Sequence, residues 1–127
     1  MEHRFYLGIC LLAVFLILGV FVAFSMDAAA APIAQQLEQA SQDALSGDME
    51  KSIALAESAK NGWYDHWKCF AMVADHSPMD EIDGLFSEME VYARSADSVH
   101  FSACCAQLSE LVEAMADAHR FTWWNLL

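Results

Sequence analysis

Twenty consecutive residues near the start of the chain, FYLGICLLAVFLILGVFVAF at positions 5–24, carry no charged side chain. The only small residues in the run are Gly8, Cys10, Ala13, Gly19 and Ala23. An α-helix rises about 1.5 Å per residue, so such a run covers a hydrocarbon core of about 30 Å. In lipid an unpaired backbone N–H or C=O is too costly to leave open, and a lone spanning segment must therefore be helical. The run predicts one transmembrane helix, with the rest of the chain as the part it anchors. The competing reading is a cleaved secretory signal, which would leave the domain secreted. Signals have apolar cores of about 7–15 residues, shorter than this one, although the alanines at 28–31 would suit a signal peptidase. A lipoprotein reading fails, because Ile9 is bulky where a small residue is needed before Cys10. A pilin-like leader has no acidic residue near the start of the run to support it.

The charges divide sharply around this segment. Of six basic and eighteen acidic residues, Arg4 and Glu2 precede it, so five basic and seventeen acidic residues follow it. The whole net charge of −12 sits in the domain after the anchor. Nucleic acid is excluded as a partner class, because binding it depends on neutralising phosphates with Lys and Arg. Anionic headgroups would repel the domain rather than recruit it. Arg4, His3 and the free amine lie before the run and Asp27 is the first charge after it. Positive charge stays cytoplasmic, which predicts the N-terminus inside and the domain outside.

After the anchor the apolar positions recur at helical spacing and never alternate with period two over a useful length. Ile33, Leu37, Ala40 and Ala44 mark a first helix over about 30–45, ended by Ser46-Gly47 with Asp48 as the next cap. A second helix runs from Asp48 towards Asp75. Its stripe is Met49, Ile53, Ala56, Trp63, Trp67, Phe70 and Ala74, with Lys60 the polar exception. Asn61-Gly62 in its middle is either a stop or a tolerated weak point costing about 1 kcal/mol. Ser77-Pro78 predicts the cap and first position of a third helix. That helix points Ile82, Leu85, Phe86, Met89, Tyr92 and Ala93 inward and Asp83, Glu88, Glu90 and Arg94 outward. Asp97-Ser98 offers a fresh cap for a fourth, with Phe101, Cys104, Cys105, Leu108, Leu111, Val112 and Met115 on one stripe. This helix is expected to end near His119-Arg120.

The expected fold is all-α, an N-terminal transmembrane helix followed by a small up-and-down bundle of about four helices. Its parts are a cytoplasmic stub at 1–4, the anchor at 5–24 and a linker or helix continuation at 25–32. An acidic helical bundle at 33–120 and an aromatic tail at 121–127 complete it.

Gly47-Asp48 opening a long helix with Trp63 and Trp67, then His76, Ile82-Asp83 and the ending Asn125-Leu126-Leu127, form a recognisable layout. In it the chain resembles a family of small, uncharacterised single-pass bacterial membrane proteins, best represented in clostridial-type Gram-positive bacteria and described only as a domain of unknown function. The chain departs from that layout by inserting residues 77–80 between the His and the Glu-Ile-Asp, and by being richer in Cys and Ala. The resemblance implies no catalytic residue, and no cofactor is expected.

Two constellations could carry chemistry. His66 and Cys69 are three apart and His100 and Cys104 four apart, so each pair shares a helix face. Facing pairs would supply the four N/S ligands that zinc takes tetrahedrally, although no known spacing motif matches. The cysteines also allow a bridge from Cys69 to Cys104 or Cys105. The plainer reading makes Cys69, Cys104 and Cys105 buried small hydrophobes, with Cys10 an apolar filler in the span. No nucleophile elbow or paired Glu-x-x-His motif is present, and acidic pairs such as Asp80-Glu81 suit a helix N-terminus. The leading expectation is therefore a non-enzymatic interaction or structural module, such as an accessory to another membrane protein. A zinc-binding or thiol-redox domain is the alternative. Trp63, Tyr64, Trp67, Trp123 and Trp124 are the expected protein-docking aromatics, unless the tail from Phe121 folds over the second helix as core.

Overall fold

The computed structural model describes the backbone of residues 2–124 and the side chains from His3 to Ala118. Four helices follow one another: α1 Glu2–Leu45, α2 Met49–Val73, α3 His76–Arg94 and α4 Ser98–Trp124. The apolar run and the first bundle helix are a single continuous helix of 44 residues, about 66 Å long. Residues 25–32 are thus helix continuation rather than linker. Pro32 lies inside α1 on its exposed side. A proline removes one backbone hydrogen bond, so the helix there owes its continuity to packing on the opposite face.

That face consists of small residues. Ala30, Ala34, Ala40, Ala44 and Ser41 are buried with Ile33 and Leu37 between them. Small side chains let neighbouring backbones come close, and serines from both flanking helices use the proximity. Ser102 Oγ donates to the Ser41 carbonyl at 2.9 Å, Ser109 Oγ to the Ala34 carbonyl at 2.9 Å, and Ser52 Oγ to the Ala40 carbonyl. With its own proton committed, Ser102 Oγ is left to accept from Ser41 Oγ, 2.8 Å away. Stepping from Ser41 back to Ala34 on α1 moves from Ser102 forward to Ser109 on α4, so these helices are antiparallel. The matches Ala40 with Ser52, Gln36 with Ser58 and Ile33 with Gly62 make α1 and α2 antiparallel too. The bundle is up-and-down, with α1 as its axle.

The turns follow the local chemistry. Gly47 takes φ +94 after α1, and Asp48 caps α2 by accepting the Lys51 N–H at 3.2 Å. Asn61-Gly62 does not interrupt α2. A Cβ on Gly62 would stand 3.3 Å from Ile33 Cγ1, so the glycine lets α1 lie close. The cap of α3 is Asp75 rather than Ser77, and Pro78 falls in the first turn, where its missing N–H costs nothing. Asp97 accepts the His100 N–H at 3.1 Å and starts α4, after Ala96 has turned the chain at φ 54. The α4 backbone passes His119-Arg120 and continues to Trp124, because nothing in that stretch breaks a helix. Residues 125–127, which include the Asn-Leu-Leu ending, lie outside the described residues.

The axle's tight packing makes a direct prediction. Ala40→Leu, at a position with no exposed surface, should lower bundle stability by about 1–3 kcal/mol in equilibrium denaturation. Ala54→Leu, on the exposed face of α2, should stay within about 0.5 kcal/mol of the parent. Equal effects would mean that close approach to α1 is not what the alanines provide.

Candidate docking site at the end of the bundle

The helix levels determine which side chains can meet. Ser102 is level with Ser41, whereas Cys69 and Met26 line one cavity. At about 1.5 Å per residue of α1, those two levels are about 20 Å apart. His66 and Cys69 therefore lie at one end of the bundle and His100 and Cys104 towards the other. The structure does not bring these four residues together, and among the described residues no group of three or more His, Cys, Asp or Glu is placed to hold a metal ion.

Each member of the four has its own surroundings. His100 Nδ1 lies 2.7 Å from Asp97 Oδ2, and its ring stacks on Tyr92 at 5.3 Å, making it part of the α4 cap. The hydrogen bond from the His100 backbone N–H holds the Asp97 carboxyl below its ordinary range. Cys104 is buried and donates to the Leu85 carbonyl at 3.2 Å. Burial, with Glu88 nearby, pushes its thiol up to about 11. Burial and the neighbouring Cys104 push Cys105 up to about 12. Both remain protonated at neutral pH, whereas a metal ligand or nucleophile must be a thiolate. Cys69 is exposed, and all four cysteines are free. The bridge from Cys69 to Cys104 or Cys105 is ruled out by separation, since a disulfide needs Cα atoms within about 7 Å. The buried-filler reading holds for Cys104 and Cys105 but not for Cys69.

The aromatic cluster also resolves residue by residue. Trp63 is wholly buried, stacked on Phe70 at 5.0 Å and near Phe86 at 6.4 Å, so it belongs to the core rather than to a docking face. Trp67 is half-buried and Tyr64 is 45% exposed. The side chains of Trp123 and Trp124 lie outside the described residues. Asp83, expected to point outward, instead turns to α2. Its Oδ1 accepts the Trp63 indole N–H at 2.7 Å and its Oδ2 the Trp67 indole N–H at 3.3 Å. One carboxylate thus clamps two indoles a helical turn apart, and the neighbouring Lys60–Glu90 ion pair ties the same two helices. Burial first, then the Asp83 charge, raises the Tyr64 hydroxyl above its ordinary range. A signal for Asp83 did exist in the sequence, since two tryptophans four residues apart on the apolar stripe need acceptors for their N–H groups.

A feature no spacing argument indicated lies at the His66 end. Between α1 and the last turns of α2 is an apolar groove of about 530 Å³, lined by residues that include Phe21, Met26, Ala29, His66, Phe70 and Met72. One nitrogen of His66 lies 2.9 Å from the Gly62 carbonyl. Ser25 Oγ donates to the Phe21 carbonyl at 2.8 Å. The groove therefore offers few polar groups for a ligand and a largely hydrocarbon wall.

A family profile described as a domain of unknown function, DUF4363, matches residues 20–126, and the chain belongs to that family. No curated protein and no solved structure matches it. The match begins at Val20, so it takes in the groove as well as the Asp83 clamp.

Two outcomes test this geometry. Asp83→Ala leaves a buried indole N–H without an acceptor and should cost about 1–3 kcal/mol by urea unfolding, with Asp83→Asn recovering part; parent-like stability for Asp83→Ala would remove the clamp. A hydrophilic maleimide should modify Cys69 rapidly in the native protein. Cys104 and Cys105 should react only on unfolding, and early modification of either would contradict their burial.

Proposed function

We propose that this member of the family is a single-span membrane protein whose acidic bundle lies outside the cytoplasm and works by contact, as a structural or accessory module for another membrane protein. The observation that supports this most is the contrast along α1. Phe15, Ile17 and Val20 are 64%, 68% and 65% exposed in the run at 5–24, whereas from Met26 onward the same helix buries its apolar face in the bundle. Apolar surface of that extent is a liability in water and is at home in lipid. Arg4 before the run and the acidic domain after it favour the outward orientation.

A binding role rather than a catalytic one draws support from how the polar groups are employed. Asp83 holds two indoles, His100 and Asp97 cap α4, Lys60 pairs with Glu90, and four serines fasten the axle. These are jobs of helix registration. Most of the remaining acids are exposed and give the bundle a solvated negative exterior, which suits a partner surface with basic or polar groups and disfavours nucleic acid. Tyr64 and the edge of Trp67 are the described aromatics open to such a partner.

The topology is directly testable. Protease added to intact protoplasts should digest the bundle while cytoplasmic markers survive. A bundle protected until lysis would reverse the orientation, and recovery of the whole chain in the soluble fraction would remove the span.

A further inference from the structure

The groove at the end of α2 is continuous with the surface of the apolar run. Phe21, 68% exposed, lines the groove and also a shallower apolar depression formed with Leu16, Ile17, Val20 and Phe24. On the other side stands Met72, 81% exposed and the most exposed large apolar residue in the molecule's described part. The α1–α2 register carries the end of α2 to the level of Phe21 and Val22, and both residues line the same cavity as Val73. If residues 5–24 fill about 30 Å of hydrocarbon, that level is its last turn. The groove thus opens where acyl chains begin and runs up into the bundle to Met26 and Phe70, both buried. Its volume lies within the range of about 300–1,000 Å³ typical of small-molecule sites. Lys68, exposed one helical turn before Met72 and on the same face, stands on the headgroup side.

We infer that this groove receives one acyl chain of a bilayer phospholipid, drawn up along Phe21 out of the adjacent leaflet. The inference rests on the membrane-span reading above and adds a specific lipid contact to it. Water is a poor occupant of a hydrocarbon-walled groove, and lipid is the solvent its mouth would meet. The chain would seat the end of α2 on the bilayer and hold the bundle at a fixed height. Lys68 would approach the headgroup phosphate.

The test uses the full chain in phosphatidylcholine vesicles doped with phosphatidylcholine carrying a photoreactive diazirine at the acyl terminus. Terminal carbons of ordinary bilayer lipid stay near the midplane and label the middle of the run at 5–24. A chain in the groove should also label Met26, Cys69 or Phe70. Ala29→Phe fills the groove from α1, and Cys69→Trp, at an exposed position, fills it from α2. Both should keep helical circular dichroism and labelling of the span. Groove labelling should fall by roughly tenfold, the loss of about 1.4 kcal/mol of chain binding. Span labelling without groove labelling in the parent overturns the inference and leaves the span intact. Groove labelling undiminished in both variants also overturns it, because surface encounter would then explain the adducts. Absence of labelling anywhere means that the span itself is wrong.

Discussion

The close approach of α2 and α4 to the small-residue face of α1 is the contact on which the rest of the molecule depends. Helical carbonyls already accept one hydrogen bond along their own helix, and the second lone pair is normally left to solvent. Here it is used by Ser52, Ser102 and Ser109, hydroxyls reaching from two neighbouring helices onto the Ala40, Ser41 and Ala34 carbonyls. Such bonds form only where no larger side chain holds the backbones apart. They also fix register, since sliding either helix by a residue would leave buried hydroxyls without partners. Pro32 can sit within α1 because packing on the opposite face keeps the helix continuous through a missing bond.

Packing on the far side of the bundle follows the opposite rule. Between α2 and α3 the space is filled by large rings, Trp63, Phe70 and Phe86, and the polar ties are correspondingly long side chains. Asp83 and the Lys60–Glu90 pair span a distance that serine could not. Burying tryptophan brings an N–H that needs an acceptor, and a carboxylate that accepts two such groups meets the need of both Trp63 and Trp67. Small residues on the axle and large ones opposite are two solutions to filling one core at uniform density.

Because the apolar run and the axle are one helix, no break in secondary structure separates the bundle from the run. The length of α2 then carries its end, and Met72 with it, down to the level of Phe21. An apolar groove at that level is a consequence of helix length and register. It would have no reason to exist had a flexible linker separated the two halves.

Much of this was legible in the residues alone. Helix number, the apolar run, the Gly47-Asp48 and Asp97 boundaries and most core positions follow from periodicity and capping, which are local properties of the chain. The continuity of α1 through 25–32 and of α4 to Trp124 was less legible, because whether a helix continues past a weak point depends on what packs against it. The outward placing of Asp83 and the zinc grouping of His66, Cys69, His100 and Cys104 came from reading each helix by itself. Spacing along a helix says which residues share its face. Which faces meet, and at what height, was decided by the antiparallel register of α1 with α2 and α4. That register depends on close packing and buried hydroxyl partners that exist only once the helices are together. It separates the two His/Cys pairs, turns Asp83 to the tryptophans and leaves the groove beside Phe21.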